Sequence, residues 1–165
     1  MSSKQKKQKI VKRFIYQGLG FPVILRNVPM VQIHDEWILD INLKKLQSEM
    51  MFSLCTKQIP LAGDEIRFIR KYFEWTMEAF GKLLGVTHNA IVKWEKQEEN
   101  YAKITPGIEI CIRLLILQDL LIKDKDFRQY SRELFLLMQN FSKIQKEQKK
   151  IHPLSFDVQE ELLAV

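Results

Sequence analysis

The sequence predicts a mainly α-helical protein organised around a helix-turn-helix, with a small N-terminal α+β element before it and a long C-terminal helix after it. Three observations predict this. Residues 76–97 (TMEAFGKLLGVTHNAIVKWEKQ) place two short amphipathic segments on either side of Gly85. Four further stretches, near 41–55, 64–73, 106–121 and 125–149, carry apolar residues at helical spacing. Residues 14–34 differ from these, holding glycines, prolines and short β-branched runs.

In chain order, residues 1–13 contain Lys4, Lys6, Lys7, Lys9, Lys12 and Arg13 and no acid, and read as a disordered basic arm. Residues 14–60 form the small α+β element. Val23 to Arg26 and Val31 to Ile33 are short enough to be strands, paired around Asn27-Val28-Pro29. Asp40 can cap a helix from about Ile41 to Cys55, with Leu43, Leu46, Met50 and Leu54 on one face. Pro60 and Gly63 break the chain. Residues 61–122 form the helix-turn-helix domain. Its first helix, about Asp64 to Phe73, opens with two acids suited to the helix dipole. Its core positions are Ile66, Ile69 and Phe73, with Phe68 as a further candidate.

Within the motif, Thr76 and Thr87 precede helical runs, where a hydroxyl can cap free N–H groups. Phe80, Leu83 and Leu84 face a core. Gly81 falls where two helices cross closely. Gly85 ends the first helix in the left-handed conformation that glycine adopts at little cost. Ile91 and Trp94 give the second helix a buried stripe, which leaves His88, Asn89, Ala90, Lys93, Lys96 and Gln97 mostly on its outer face. Such a pattern fits a helix that enters the DNA major groove. It also fits an ordinary helical hairpin in a core. Pro106 then opens a helix to about Leu121, with Ile110, Leu114, Leu117 and Leu121 on one face.

Residues 123–165 form the C-terminal helix and tail. Phe127, Tyr130, Leu134, Leu137, Phe141 and Ile144 alternate at spacings of three and four, an a/d heptad seam. The seam can dock on its own domain or serve as a dimer or partner interface.

Composition narrows the class. The chain has 165 residues, 46% hydrophobic and 28% charged, in the range of a globular protein. No apolar run reaches the roughly 18 residues of a membrane span. The basic start lacks a signal-peptide stretch, so a cytoplasmic, nucleoid-associated protein is expected. Cys55 and Cys111 sit in apolar helical patterns and read as buried free thiols. His34, His88 and His152 are scattered, and His34-Asp35-Glu36 reads as a polar loop. With no P-loop, GxGxxG or GxSxG, neither an enzyme nor a metal or cofactor site is expected. The net charge of +6 lies in the arm, since the remainder holds 20 basic and 20 acidic residues. The arm can track phosphates or serve only as a solubilising tail.

The stretch LAGDEIRFIRKYFEWTMEAFGKLLGVTHNAIVKWEK resembles the DNA-binding domain of MqsA/YgiT-type antitoxins, within the phage-repressor-like (XRE-type) helix-turn-helix family. GDEIRFIRKYF looks like their first helix, and KLLGV followed by VKWEK like their turn and recognition helix. The likeness is sharpest over residues 63–96 and weaker across 14–120. It implies a pair between Arg70 and Glu95, bracing the first helix against the recognition helix. It places His88, Asn89 and Lys93 toward bases, where Asn89 suits adenine and Lys93 suits guanine. It places Thr76, Thr87 and Lys96 toward phosphates. The family's paired CxxC zinc motif is absent here, so the resemblance is to a zinc-less branch. Met77 stands where many members have glutamine, and Gln97 where many have glycine.

The expected function is sequence-specific DNA binding by an antitoxin-like repressor, acting as a homodimer on duplex DNA, with a cognate toxin as a further partner. The alternative is a toxin- or partner-binding module on the same scaffold without base readout.

Overall fold

The computed structural model describes residues 7–123, 132, 136 and 153–158. Among these residues the order is β1 (Gln8–Tyr16), β2 (Val23–Ile33), β3 (Glu36–Leu39), α1 (Leu43–Thr56), α2 (Gly63–Tyr72), α3 (Met77–Leu84), α4 (His88–Glu95), α5 (Pro106–Lys123) and β4 (Ser155–Asp157). The chain divides into two compact units, residues 1–47 with 153–165, and residues 48–152. Segment 14–60 is therefore split within α1, and the end of the chain supplies a strand.

A mainly α bundle is not what forms. The chain is mixed α and β, with five helices and a four-stranded mixed sheet among the described residues. β2 is the central strand. It pairs antiparallel with β1 from Tyr16↔Val23 to Gln8↔Val31, antiparallel with β3 from Met30↔Leu39 to Ile33↔Glu36, and parallel with β4 from Ile24↔Ser155 to Arg26↔Asp157. Val23, Leu25, Val28, Met30 and Val31 are buried, as are Phe156 and Val158.

Three features of the first unit depart from the sequence reading. Residues 8–13, expected in an unstructured arm, belong to β1. Its lysines are exposed on an edge strand, a common place for charge because it discourages pairing with other chains. The two short strands expected around Asn27-Val28-Pro29 are one strand of 11 residues. Asn27 has φ 52 there, and buried residues change phase from 23 and 25 to 28 and 30. Pro29 falls between the stretches of β2 held by β4 and by β3, where the ladder on that side is interrupted. The hairpin turn lies instead at His34 and Asp35, with φ of 48 and 65, the positive pair required by a two-residue I′ loop.

The second unit contains residues 48–56 of α1 and the helices α2 to α5. α2 packs on α4, and α3 packs on both α4 and α5. Met50, Met51, Leu54, Ile66, Ile69, Phe80, Ile91, Ile112 and Ile116 are fully buried. α1 is capped by Asn42, whose Oδ1 accepts from Lys45 N–H at 3.1 Å, in place of the expected Asp40. Gly63 is sterically required, since a Cβ there would come within 2.4 Å of the Trp94 carbonyl oxygen.

α5 begins at Pro106 as expected, but its buried face is not the expected one. Ile112, Ile116, Leu117 and Leu120 are buried together with Glu109 and Arg113, while Leu114 is 42% exposed. Cys55 is buried, with its Sγ donating to Arg113 O at 3.4 Å, and Cys111, expected to be buried, is exposed; neither is in a disulfide. Arg113 is the polar centre of the unit. Its Nη1 donates to the carbonyls of Leu54, Cys55 and Lys57 at 3.0, 2.9 and 2.9 Å. Its Nη2 donates to Ile59 O at 3.0 Å and Glu109 Oε1 at 2.8 Å. One guanidinium thus satisfies carbonyls left without partners where α1 ends.

Candidate nucleic-acid interface

α3, the turn and α4 are held by local chemistry. Thr76 and Thr87 have extended backbone, and their Oγ1 atoms accept from Ala79 N–H at 3.1 Å and Ala90 N–H at 3.2 Å. Each hydroxyl hydrogen stays available to an outside acceptor such as a phosphate oxygen. Gly85 has φ 69, its N–H donates to Lys82 O at 3.3 Å, and Val86 N–H donates to Gly81 O at 2.8 Å. These two bonds form a Schellman stop. A Cβ at Gly81 would approach Val86 O to 2.9 Å, so α3 passes the turn at backbone contact.

Phe80 and Ile91 are fully buried, and Leu84 and Trp94 are half-buried. Leu83, expected in the core, is 52% exposed.

The base-facing residues implied by the resemblance, His88, Asn89 and Lys93, are all exposed on α4. Thr76, Thr87 and Lys96 are exposed as well, Lys96 capping the C-terminus of α4. Lys93 and Lys96 line an open groove of about 340 Å³ with Trp94, Gln97, Ala102 and Lys103. Lys103 was not anticipated. It comes from the loop after α4 and has φ 54, and no sequence pattern links it to the motif. Met77 is half-buried at the first position of α3.

Arg70 and Glu95 meet. Arg70 Nε donates to Glu95 Oε1 at 2.6 Å and Nη2 to Oε2 at 2.9 Å, while Nη1 donates to Trp75 O at 2.9 Å. The guanidinium therefore ties α2 to the end of α4 and to the start of α3. The bond to Glu95 raises the Arg70 pKa above its ordinary value, against the opposing effect of burial. Arg67 adds a second tie, donating to Glu95 O at 2.7 Å and to Asp64 Oδ1 at 2.9 Å. Burial lifts the Asp64 carboxyl above its usual value, against Arg67 and with help from Glu98 and Glu99.

These pairs change the electrostatics read from composition. Residues 64–97 hold six basic and five acidic side chains. Asp64, Glu65 and Glu95 are buried, Glu65 on Lys57 at 2.7 Å. The exposed charges of the stretch are Lys71, Lys82, Lys93 and Lys96 against Glu74 and Glu78, and Lys93 and Lys96 lie on or beside α4. Glu98 and Glu99 are exposed just beyond α4.

The seam residues Phe127, Tyr130, Leu134, Leu137, Phe141 and Ile144 lie outside the described residues. No helix among the described residues is long and apolar enough to cross a membrane. No family model, curated protein or solved structure matches this chain.

Proposed function

We propose that the chain is a sequence-specific DNA-binding regulator of the antitoxin-like repressor kind, acting as a dimer, with α4 as the helix that reads bases. The observation that carries this reading is the exposed row His88, Asn89 and Lys93 on a helix whose other side is locked by Ile91 and by the Arg70–Glu95 pair. A short helix fixed from behind, with amide and ammonium groups in front, has the donors and acceptors that major-groove edges require. Thr76, Thr87, Lys96 and Lys103 flank it with groups suited to phosphate. Dimerisation follows from the small number of base pairs that one such helix reads.

A second reading, a partner-binding module without base readout, is favoured by the exposed Leu83 on α3. It would engage a toxin or another protein through that surface.

The two separate in a binding titration on duplex DNA. Asn89→Ala and Lys93→Ala are each expected to remove about 1–3 kcal/mol of preference for the selected site over mixed-sequence DNA. Lys96→Ala is expected to weaken both alike and lower the salt slope by about 1. If neither Asn89→Ala nor Lys93→Ala alters the preference, the base-reading proposal fails. Loss of protein-partner binding in Leu83→Ser, with DNA binding absent in the unmodified chain, would establish the second reading.

A further inference from the structure

From Lys7 to His34 the chain holds Lys7, Lys9, Lys12, Arg13 and Arg26 and no acidic residue. The sheet sets two of these cations side by side. Arg13 on β1 is the register partner of Arg26 on β2, and both are exposed. Lys12, also exposed, directly precedes Arg13. Register partners on antiparallel strands bring their Cβ atoms to roughly 4.5–5.5 Å on one face, where like charges repel.

Nothing in the described residues relieves that repulsion by an ion pair to either arginine. One acid is near. Asp157 is the partner of Arg26 on β4, its Oδ2 also accepts from Asn27 Nδ2 at 2.8 Å, and one carboxylate does not balance two arginines. Asn27 adds a second local cost, a left-handed backbone inside a strand. Lys9 is placed differently, with its Nζ 4.0 Å above the Trp37 ring.

We infer that Arg13 and Arg26 form a second nucleic-acid contact, on the sheet, that grips backbone phosphates. It rests on the DNA-binding reading above and adds a surface that α4 does not supply. Guanidinium groups donate two parallel hydrogen bonds to a phosphate, and the phosphate charge removes the repulsion between the two arginines. Phosphate is the acceptor that the DNA-binding reading already supplies, and the planar guanidinium fork matches its geometry. The contact carries no base information, so it strengthens binding equally on every sequence.

The test uses the full chain, fluorescence anisotropy and short mixed-sequence DNA duplexes over a salt series. Arg13→Gln with Arg26→Gln should lower the slope of log affinity against log salt by about 2 and weaken binding roughly tenfold or more at 0.1 M salt. Its melting temperature should not fall, because the repulsion is gone. Arg13→Lys with Arg26→Lys keeps both charges and should keep the slope. An unchanged slope in the glutamine variant overturns the proposal, as does an equal loss of slope in the lysine variant. A glutamine variant that loses polyglutamate binding while its DNA slope is intact assigns the surface to an acidic protein and also overturns it. Asn89→Ala, titrated on a selected site against the mixed-sequence duplexes, reports α4 separately. A slope that falls only in the sheet variant, in a chain without sequence preference, would support this contact and remove base reading by α4.

Discussion

Arg113→Met is expected to destabilise the protein by about 3–5 kcal/mol, the cost of leaving a buried charge without its partner. Arg113 is 0% exposed and Glu109 is 1% exposed. Without the guanidinium, Glu109 Oε1 keeps the Leu61 N–H at 3.2 Å as its hydrogen-bond donor. Four carbonyls, those of Leu54, Cys55, Lys57 and Ile59, lose the guanidinium donor as well. Methionine fills much of the volume but donates nothing, so the loss is polar and not a cavity effect. Equilibrium urea unfolding measures it. Adding Glu109→Met should recover part of the loss, because the lone carboxylate goes while the carbonyls stay unpaired. A single variant less stable by under about 1 kcal/mol would mean that water replaces the guanidinium.

Arg70→Met is expected to cost a similar amount, about 3–5 kcal/mol, with an added functional consequence. Glu95 is 2% exposed and would retain Arg67 Nε at 3.5 Å as its remaining ion-pair contact. The Trp75 carbonyl would lose its Arg70 donor too. The end of α4 would be tied to α2 by Arg67 alone, so the DNA affinity proposed for this chain should fall although no exposed α4 side chain changes. Arg70→Met with Glu95→Met should regain stability by removing both charges, while leaving α4 less firmly held. Urea unfolding beside DNA titration separates the two effects. A single variant that unfolds like the unmodified chain would show that Arg67 alone suffices to pair Glu95.

The local chemistry of residues 76–97 was legible in the sequence because each signal is short-range. Thr76, Gly81, Gly85 and Thr87 act within a few residues of themselves, and their caps, left-handed turn and close approach are all present. Arg70 and Glu95 stand 25 residues apart, and it was resemblance that suggested the pair, since spacing alone gives no reason for it. Arg113 had no such signal. A buried arginine and glutamate on α5 broke the apolar count and moved the expected face toward Leu114, which is exposed. β1 went unread because charges on an edge strand look like the charges of a disordered arm. Asn27 and Pro29 punctuate β2 without ending it, and His34-Asp35 makes a two-residue turn without the usual glycine.

The resulting surface also differs from what composition suggested. Burial of Asp64, Glu65 and Glu95 removes acids from a nearly neutral stretch and leaves lysines outside. The sheet orders part of the basic start and sets Arg13 against Arg26. Both changes come from contacts between residues distant in sequence.

We propose that α4 reads bases through Asn89 and Lys93. Selection of bound duplexes from a randomised pool, with the unmodified chain and with Asn89→Ala, tests it most directly. A short enriched site is expected for the unmodified chain, and loss of preference at an adenine position in Asn89→Ala with the rest of the site retained. A pool that stays random for the unmodified chain, or an identical enriched site for both proteins, would contradict it.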